Sequence, residues 1–163
     1  MAGPLTGFRI IELTSMLTGP RAASLLGDQG ADVIKVEVPG LGDHTRSVGA
    51  HREGFSTSFL NINRSKRSIT LDLKKTEGKA TLKRLAATAD VFIQNFRPGV
   101  VERLGIGYDD IQEVAPKIVY ISMSGFGERG PLAQKPVYDP IIQAISGLTT
   151  VQAGSDAERP RLV

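Results

Sequence analysis

The 163-residue sequence contains no cysteine and no tryptophan. Without thiols there is no disulfide framework, no thiolate metal site and no cysteine nucleophile. Two histidines, His44 and His51, are too few for a multi-histidine metal centre. No apolar run approaches the roughly 20 residues of a membrane span. Aromatic residues make up 6% of the chain and no run of five basic residues occurs, so it offers neither a stacking platform nor a basic tract for nucleic acid.

What remains is ordinary for a globular chain: 40% hydrophobic and 23% charged residues, and enough length for one domain with a core. The net charge of +3 and the pI of about 9.3 suit an anionic small molecule and are too weak and dispersed for nucleic acid. The opening "MAGPLTGFRI" lacks a charged n-region followed by an apolar h-region. Neither a secretory leader nor a membrane partner is expected, and a cytoplasmic location is.

Apolar runs and turn residues alternate along the chain. "FRIIEL" (8–13) reads as a buried strand, Gly19-Pro20 opens a helix that Gly30 closes, and "DVIKVEV" (32–38) reads as a second strand. A polar, Gly-rich loop spans 39–56. "RSITLDL" (67–73), "DVFIQ" (90–94) and "KIVYISM" (117–123) read as further strands, and 76–89, 100–104, 108–114 and 139–148 as helices. The alternation predicts an α/β fold with a mostly parallel sheet and flanking helices. Ligands in such sheets bind beyond the carboxyl ends of the strands. Residues 14–20, 38–46, 95–99 and 122–138 are therefore the candidate site loops.

Each feature of these loops has a structural reading beside its chemical one. The helix start at Gly19-Pro20 can hold a phosphate, or pack on the sheet and bind nothing. Glu37 takes the place of the acid that binds a nicotinamide ribose, but the first strand–helix turn carries a single glycine instead of G-x-G-x-x-G, and a satisfied strand-end carboxylate fits as well. "GDHTR" (42–46) offers a general-base cluster, or a polar loop in which Asp43 caps a turn; the second is favoured for His44. Arg64, Lys66 and Arg67 can meet phosphates or form the solvated start of a strand. In "QNFRPGVVERLG" (94–105), Asn95 offers paired donor and acceptor groups, Phe96 a stacking face and Arg103 a phosphate partner, which are the needs of an adenine nucleotide. The alternative is that Phe96 is core and Arg103 pairs with an acid. "SMSGFGERGP" (122–131) is a Gly-rich loop able to cradle a ligand, without the G-K-[ST] of a P-loop. Lys135, Tyr138 and Asp139 precede the last helix, with Asp139 the expected N-cap.

Taken in order, "LTGFRIIEL", "GPRAASLLGDQGADVIKVE", "GDHTR", "NRSKRSITLDLKKTEGK", "DVFIQNFRPGVVERLGIGYD", "YISMSGFGERGP" and "VYDPIIQAISG" resemble the N-terminal part of the class III CoA-transferases. That group includes formyl-CoA transferase, carnitine CoA-transferase and α-methylacyl-CoA racemase. The resemblance implies a Rossmann-like large domain that holds coenzyme A, with no NAD and no metal, and of which residues 1–163 are the N-terminal portion. It implies that Met16, Leu17, Thr18, Leu71, Asn95, Phe96, Arg103 and Leu104 contact coenzyme A, and that Lys135 and Tyr138 lie near its thioester end. It further implies an acyl-CoA and an acceptor carboxylic acid as substrates, an aspartyl-CoA thioester between them, and an interlocked homodimer. The nucleophilic aspartate is expected after Val163, so no catalytic residue is assigned here. The small domain and the C-terminal portion are likewise expected outside the chain. The formyl enzyme carries glutamine in place of Leu17 and arginine in place of Val38, which disfavours formyl or oxalyl transfer. The racemase carries histidine in place of Tyr138, which disfavours racemisation. A non-catalytic nucleotide-binding remnant is the alternative from another class.

Overall fold

Strands β1 (Arg9–Leu13) and β2 (Asp32–Glu37) bury all but their first residue. A strand buried on both faces belongs inside a parallel sheet covered by helices. The computed structural model places both there. It describes residues 3–152 with Arg159, Arg161 and Leu162, in two units, Met1–Met123 and Ser124–Val163.

In the first unit, short strands β3 (His51–Arg52) and β4 (Phe55–Ser56) pair as an antiparallel hairpin. Strands β5 (Lys66–Thr70), β6 (Val91–Gln94) and β7 (Val119–Ser122) join the main sheet. Its order is β5-β2-β1-β6-β7 and every pairing is parallel. Helices α1 (Thr18–Asp28), α2 (Thr57–Asn63), α3 (Thr76–Ala86), α4 (Val100–Leu104) and α5 (Tyr108–Gln112) fill the connections. The α/β class and the parallel sheet are as the alternation predicts.

Neighbouring residues on a strand point to opposite faces, so "RII" and "FI" each supply both sides of the sheet. Ile11, Phe92, Leu82, Ile106 and Ile111 are fully buried in one cluster. Ile10, Ala23, Val33 and Ile93 form the other. Phe92 stacks on Tyr120 with ring centroids 5.1 Å apart and planes 14° from parallel.

Two stretches differ from the sequence reading. The loop over 39–56 holds a short 3-10 turn at His44–Ser47 and the β3–β4 hairpin, and α2 follows it unannounced. Ser56 starts α2 by accepting the Phe59 N–H at 3.2 Å, a cap the polar surroundings disguise. In the second unit, the helix expected over 139–148 divides into α6 (Asp139–Ile145) and α7 (Leu148–Val151). Gly147 between them has φ of 80°, a left-handed conformation that ends α6. The cap position of α6 is Tyr138, so Asp139 is not the N-cap; it is the first helical residue and accepts a hydrogen bond from Gln143 Nε2.

Candidate functional site

The chain leaves β1 towards β2 and later returns on the other side of β1 as β6. That reversal opens a crevice beyond the carboxyl ends of β1 and β6, where ligands of such sheets bind. Two loops form its lips, residues 14–17 and 95–99. Asn95 joins them: its Oδ1 accepts from Ser15 N–H at 3.1 Å and its Nδ2 donates to the Ser15 carbonyl at 2.9 Å. The next residue, Met16, has φ of 68°, the left-handed region that non-glycine residues seldom occupy. The loop then folds back so closely that a Cβ on Gly19 would lie 2.3 Å from the Thr14 side chain. Helix α1 begins there with no side-chain cap. The N–H groups of Leu17, Thr18 and Gly19 meet no acceptor among the described residues, and Leu17 and Thr18 are exposed. The two exposed donors, on Leu17 and Thr18 at the positive end of an 11-residue helix, form a place for an anion or a carbonyl, while Gly19 is buried behind them.

Behind this loop sit four charges withdrawn from water. Glu12 on β1 lies opposite Lys35 on β2 in the register of the sheet. Three oxygens surround Lys35 Nζ: Thr14 O at 2.7 Å, Asp43 Oδ2 at 2.8 Å and Glu12 Oε1 at 3.1 Å. Three more surround Lys66 Nζ: Pro20 O at 2.7 Å, Asn63 Oδ1 at 2.9 Å and Glu12 Oε2 at 2.9 Å. Each ammonium has three N–H bonds and three oxygen neighbours. The side chains of Glu12, Lys35, Asp43 and Lys66 are at most 2% exposed. Asp43 also caps the 3-10 turn, taking the Thr45 N–H at 2.9 Å, and reaches Met16 N–H at 3.4 Å. Burial alone would raise the Asp43 carboxyl, but Lys35 and the Thr45 N–H outweigh it and hold it below its ordinary value.

At the end of β2, Glu37 is enclosed by its own neighbours. Its Oε1 accepts from Arg46 Nη2 at 2.7 Å and Ser68 Oγ at 2.5 Å, and its Oε2 accepts from Arg46 Nε at 2.7 Å and Asp43 N–H at 2.9 Å. The Arg46 guanidinium lies 3.8 Å over the Phe59 ring. A pocket of about 290 Å³ opens beside them, lined by Glu37, Val38, Leu41, Arg46, Ser68 and Thr70. Burial would raise the Glu37 carboxyl, yet the Arg46 and Ser68 hydrogen bonds bring it down to about 2, against an ordinary 4.5. A depressed carboxyl contributes stability that is present above pH 4.5 and lost as pH falls towards 2. The urea midpoint is therefore expected to drop between about pH 5 and pH 2.5, and Glu37→Gln to shrink that drop. A variant with the same pH profile as the parent would refute this role.

The structure brings some of the expected contact residues together. Leu71, Phe96 and Leu104 pack on one apolar cluster of the first unit, and Asn95 ties itself to the segment that carries Met16, Leu17 and Thr18. Phe96 is thus half-buried core rather than a free stacking face. Arg103 is exposed and forms no ion pair with a described residue. Lys74, Lys75 and Arg97, which the sequence reading passed over, are exposed and unpaired in the same sense. Lys135 and Tyr138 belong to the second unit, where both are exposed. In the cluster of Arg64, Lys66 and Arg67, the two arginines stay exposed at the solvated start of β5, as one of the two readings has it, and the Lys66 side chain is buried. Its members pair with Asp28, Glu12 and Asp32. His44 is exposed beside the capping Asp43. Residues 125–130, Gly-Phe-Gly-Glu-Arg-Gly, do spell G-x-G-x-x-G, but no helix begins until Asp139, so the motif lacks the helix start that would hold a pyrophosphate.

A family model described as CoA-transferase family III matches residues 5–163. Human succinyl-CoA:glutarate CoA-transferase is 45% identical over 159 residues, covering 97% of this chain and 36% of that protein. Acetyl-CoA:oxalate CoA-transferase of Acetobacter aceti is 42% identical over 160 residues, covering 98% of this chain and 41% of that protein. A solved structure of a CAIB/BAIF family protein from Brucella suis superposes with a TM-score of 0.93 at 39% identity, over 100% of this chain and 44% of that one. The chain spans less than half the length of these relatives.

Proposed function

The chain belongs to CoA-transferase family III, and from that premise we propose that it supplies the coenzyme A-binding part of an enzyme that moves CoA from an acyl-CoA to a carboxylic acid. The observation that carries the reading is the Asn95–Ser15 bridge across the switch-point crevice. It sets three of the expected contact residues, Met16 to Thr18, beside two others, Asn95 and Phe96. Open N–H groups and unpaired cations at this edge of the sheet suit the phosphates of coenzyme A, and the apolar cluster under Phe96 suits its adenine. Lys135 and Tyr138 are assigned to the thioester end. The names of the relatives make glutarate the first acceptor acid to test; oxalate comes second, because Leu17 and Val38 speak against oxalyl transfer.

In this reading an aspartate carboxylate attacks the acyl-CoA carbonyl, giving a mixed anhydride and releasing CoA thiolate. The thiolate attacks the aspartyl carbonyl of the anhydride; the first acid leaves and an aspartyl-CoA thioester remains. The acceptor carboxylate attacks that thioester, and the thiolate released returns to the acceptor's acyl carbonyl, freeing the aspartate. Splitting one exchange into such steps is covalent catalysis. We place the aspartate after Val163, so the residues here bind and orient. The complete enzyme is proposed to be an interlocked homodimer.

Calorimetric titration of this chain with coenzyme A tests the reading, with intact mass after incubation with succinyl-CoA as its companion. One-to-one binding with Kd below about 1 mM is expected, with no covalent adduct on this chain. Absence of binding would overturn the proposal. A hydroxylamine-sensitive CoA adduct would move the nucleophile inside these residues.

A further inference from the structure

Four ionised side chains buried behind one loop are an expensive way to hold a fold together. Apolar residues of similar volume commonly do as well or better, because desolvation offsets most of the attraction between buried charges. What charges provide that apolar packing does not is direction. In this molecule the directed contacts converge on one short segment. Lys35 takes the Thr14 carbonyl, Asp43 reaches the Met16 N–H, and Glu12 accepts from the Thr14 hydroxyl. Asn95 holds both backbone groups of Ser15. Every backbone contact that fixes Thr14 to Met16 thus comes from a side chain on a neighbouring strand or turn. The product is a methionine held at φ of 68°, a conformation that costs about 1 kcal/mol or more when nothing imposes it.

From this convergence we infer that Lys35 and Asp43 are positioning residues: they hold the Thr14–Met16 turn so that the N–H groups of Leu17 and Thr18 stand open to the ligand. This rests on the proposal that the ligand is coenzyme A. The two residues touch no ligand themselves. They act through the turn, and a turn released to sample other conformations binds more weakly by the fraction of time it is misplaced.

The test separates positioning from plain stabilisation. Lys35→Met alone leaves Glu12 and Asp43 with one cation between them, and is expected to lower both the melting temperature and the affinity for coenzyme A. Adding Asp43→Asn restores charge balance, since Glu12 and Lys66 then remain as a pair. The amide oxygen that this change places at position 43 can still accept the Thr45 and Met16 N–H groups, so what the double variant removes is the Lys35 hold on the Thr14 carbonyl and the charge that oriented it. The double variant is expected to melt within about 4 °C of the parent but to bind coenzyme A at least about tenfold more weakly. Recovery of affinity together with stability would overturn the inference. Amide hydrogen exchange without ligand gives an answer independent of melting temperature and of ligand identity. Exchange at Ser15 and Met16 is expected to quicken at least about tenfold in the double variant while β6 is unchanged; uniform quickening, or none, would overturn the inference. If the parent binds no coenzyme A, the functional reading falls, and the exchange result alone decides the role of Lys35 and Asp43.

Discussion

Replacing Glu12 with glutamine is expected to cost about 3–5 kcal/mol, a large part of the 5–15 kcal/mol that holds a typical domain folded. Glutamine keeps the shape and one acceptor oxygen, so the loss reads charge. Lys35 retains Asp43 as a counter-ion, but Lys66 has no other acid at 4.0 Å or closer among the described residues. Burial already holds the Lys66 ammonium below its ordinary value, with Glu12 opposing that shift. Without Glu12 the shift deepens, and the unfolded chain then binds the proton more readily than the folded one. Stability therefore rises with pH in that window, and the loss in Glu12→Gln is expected to shrink between about pH 7 and pH 10. Adding Lys66→Met removes the stranded charge and should recover about half of the loss or more. Urea unfolding at two pH values measures all three outcomes. A loss below about 1 kcal/mol would show that water reaches these groups.

The second large effect lies in the apolar core. Phe92 is fully buried at the centre of β6 and stacks on Tyr120. Phe92→Ala is expected to lower stability by roughly 3–5 kcal/mol, through lost transfer energy and the cavity left between β1, β7 and the helices below. Its partner argues for the upper end, since Tyr120 would lose a ring contact while its hydroxyl stays bound to the Ile106 carbonyl at 3.3 Å. Phe92→Leu, which refills most of the volume, should cost about half as much or less. Equal losses in the two variants would mean that the site does not discriminate shape. Leu71, Phe96 and Leu104 pack on the cluster that holds Phe92, so coenzyme A affinity, read at low temperature where both variants stay folded, is expected to fall further with Phe92→Ala than with Phe92→Leu.

The sheet was legible because its strands are short apolar runs bounded by glycine, proline and charge. The "RIIEL" and "DVFIQ" runs became adjacent central strands. The α2 helix was not legible, since its cap Ser56 sits in a polar stretch where many residues look like turn formers. Within the site, the loops could be placed from strand ends alone, but the charge network could not. Glu12 and Lys35 each interrupt an apolar strand, and each by itself looks like a solvent-facing position. The usable signal was their opposite sign at matching places in two strands expected to be neighbours, which the register confirms. Lys66 was misread for the same reason: its acid lies 54 positions earlier, beyond any local pattern.

The enclosure of Glu37 has a consequence for selectivity. In dinucleotide folds the acid at this strand end reads a sugar by accepting its hydroxyls. Here both oxygens already accept from two donors each, so a ribose diol arriving at that corner finds a wall without vacancies. No bulky side chain is needed to turn such a ligand away. The groups that occupy the acid, Arg46 and Ser68, also line the pocket beside it. A strand-end acid that serves as a reader in one lineage of this architecture is here an anchor, fastening the turn after β2 to the edge strand β5.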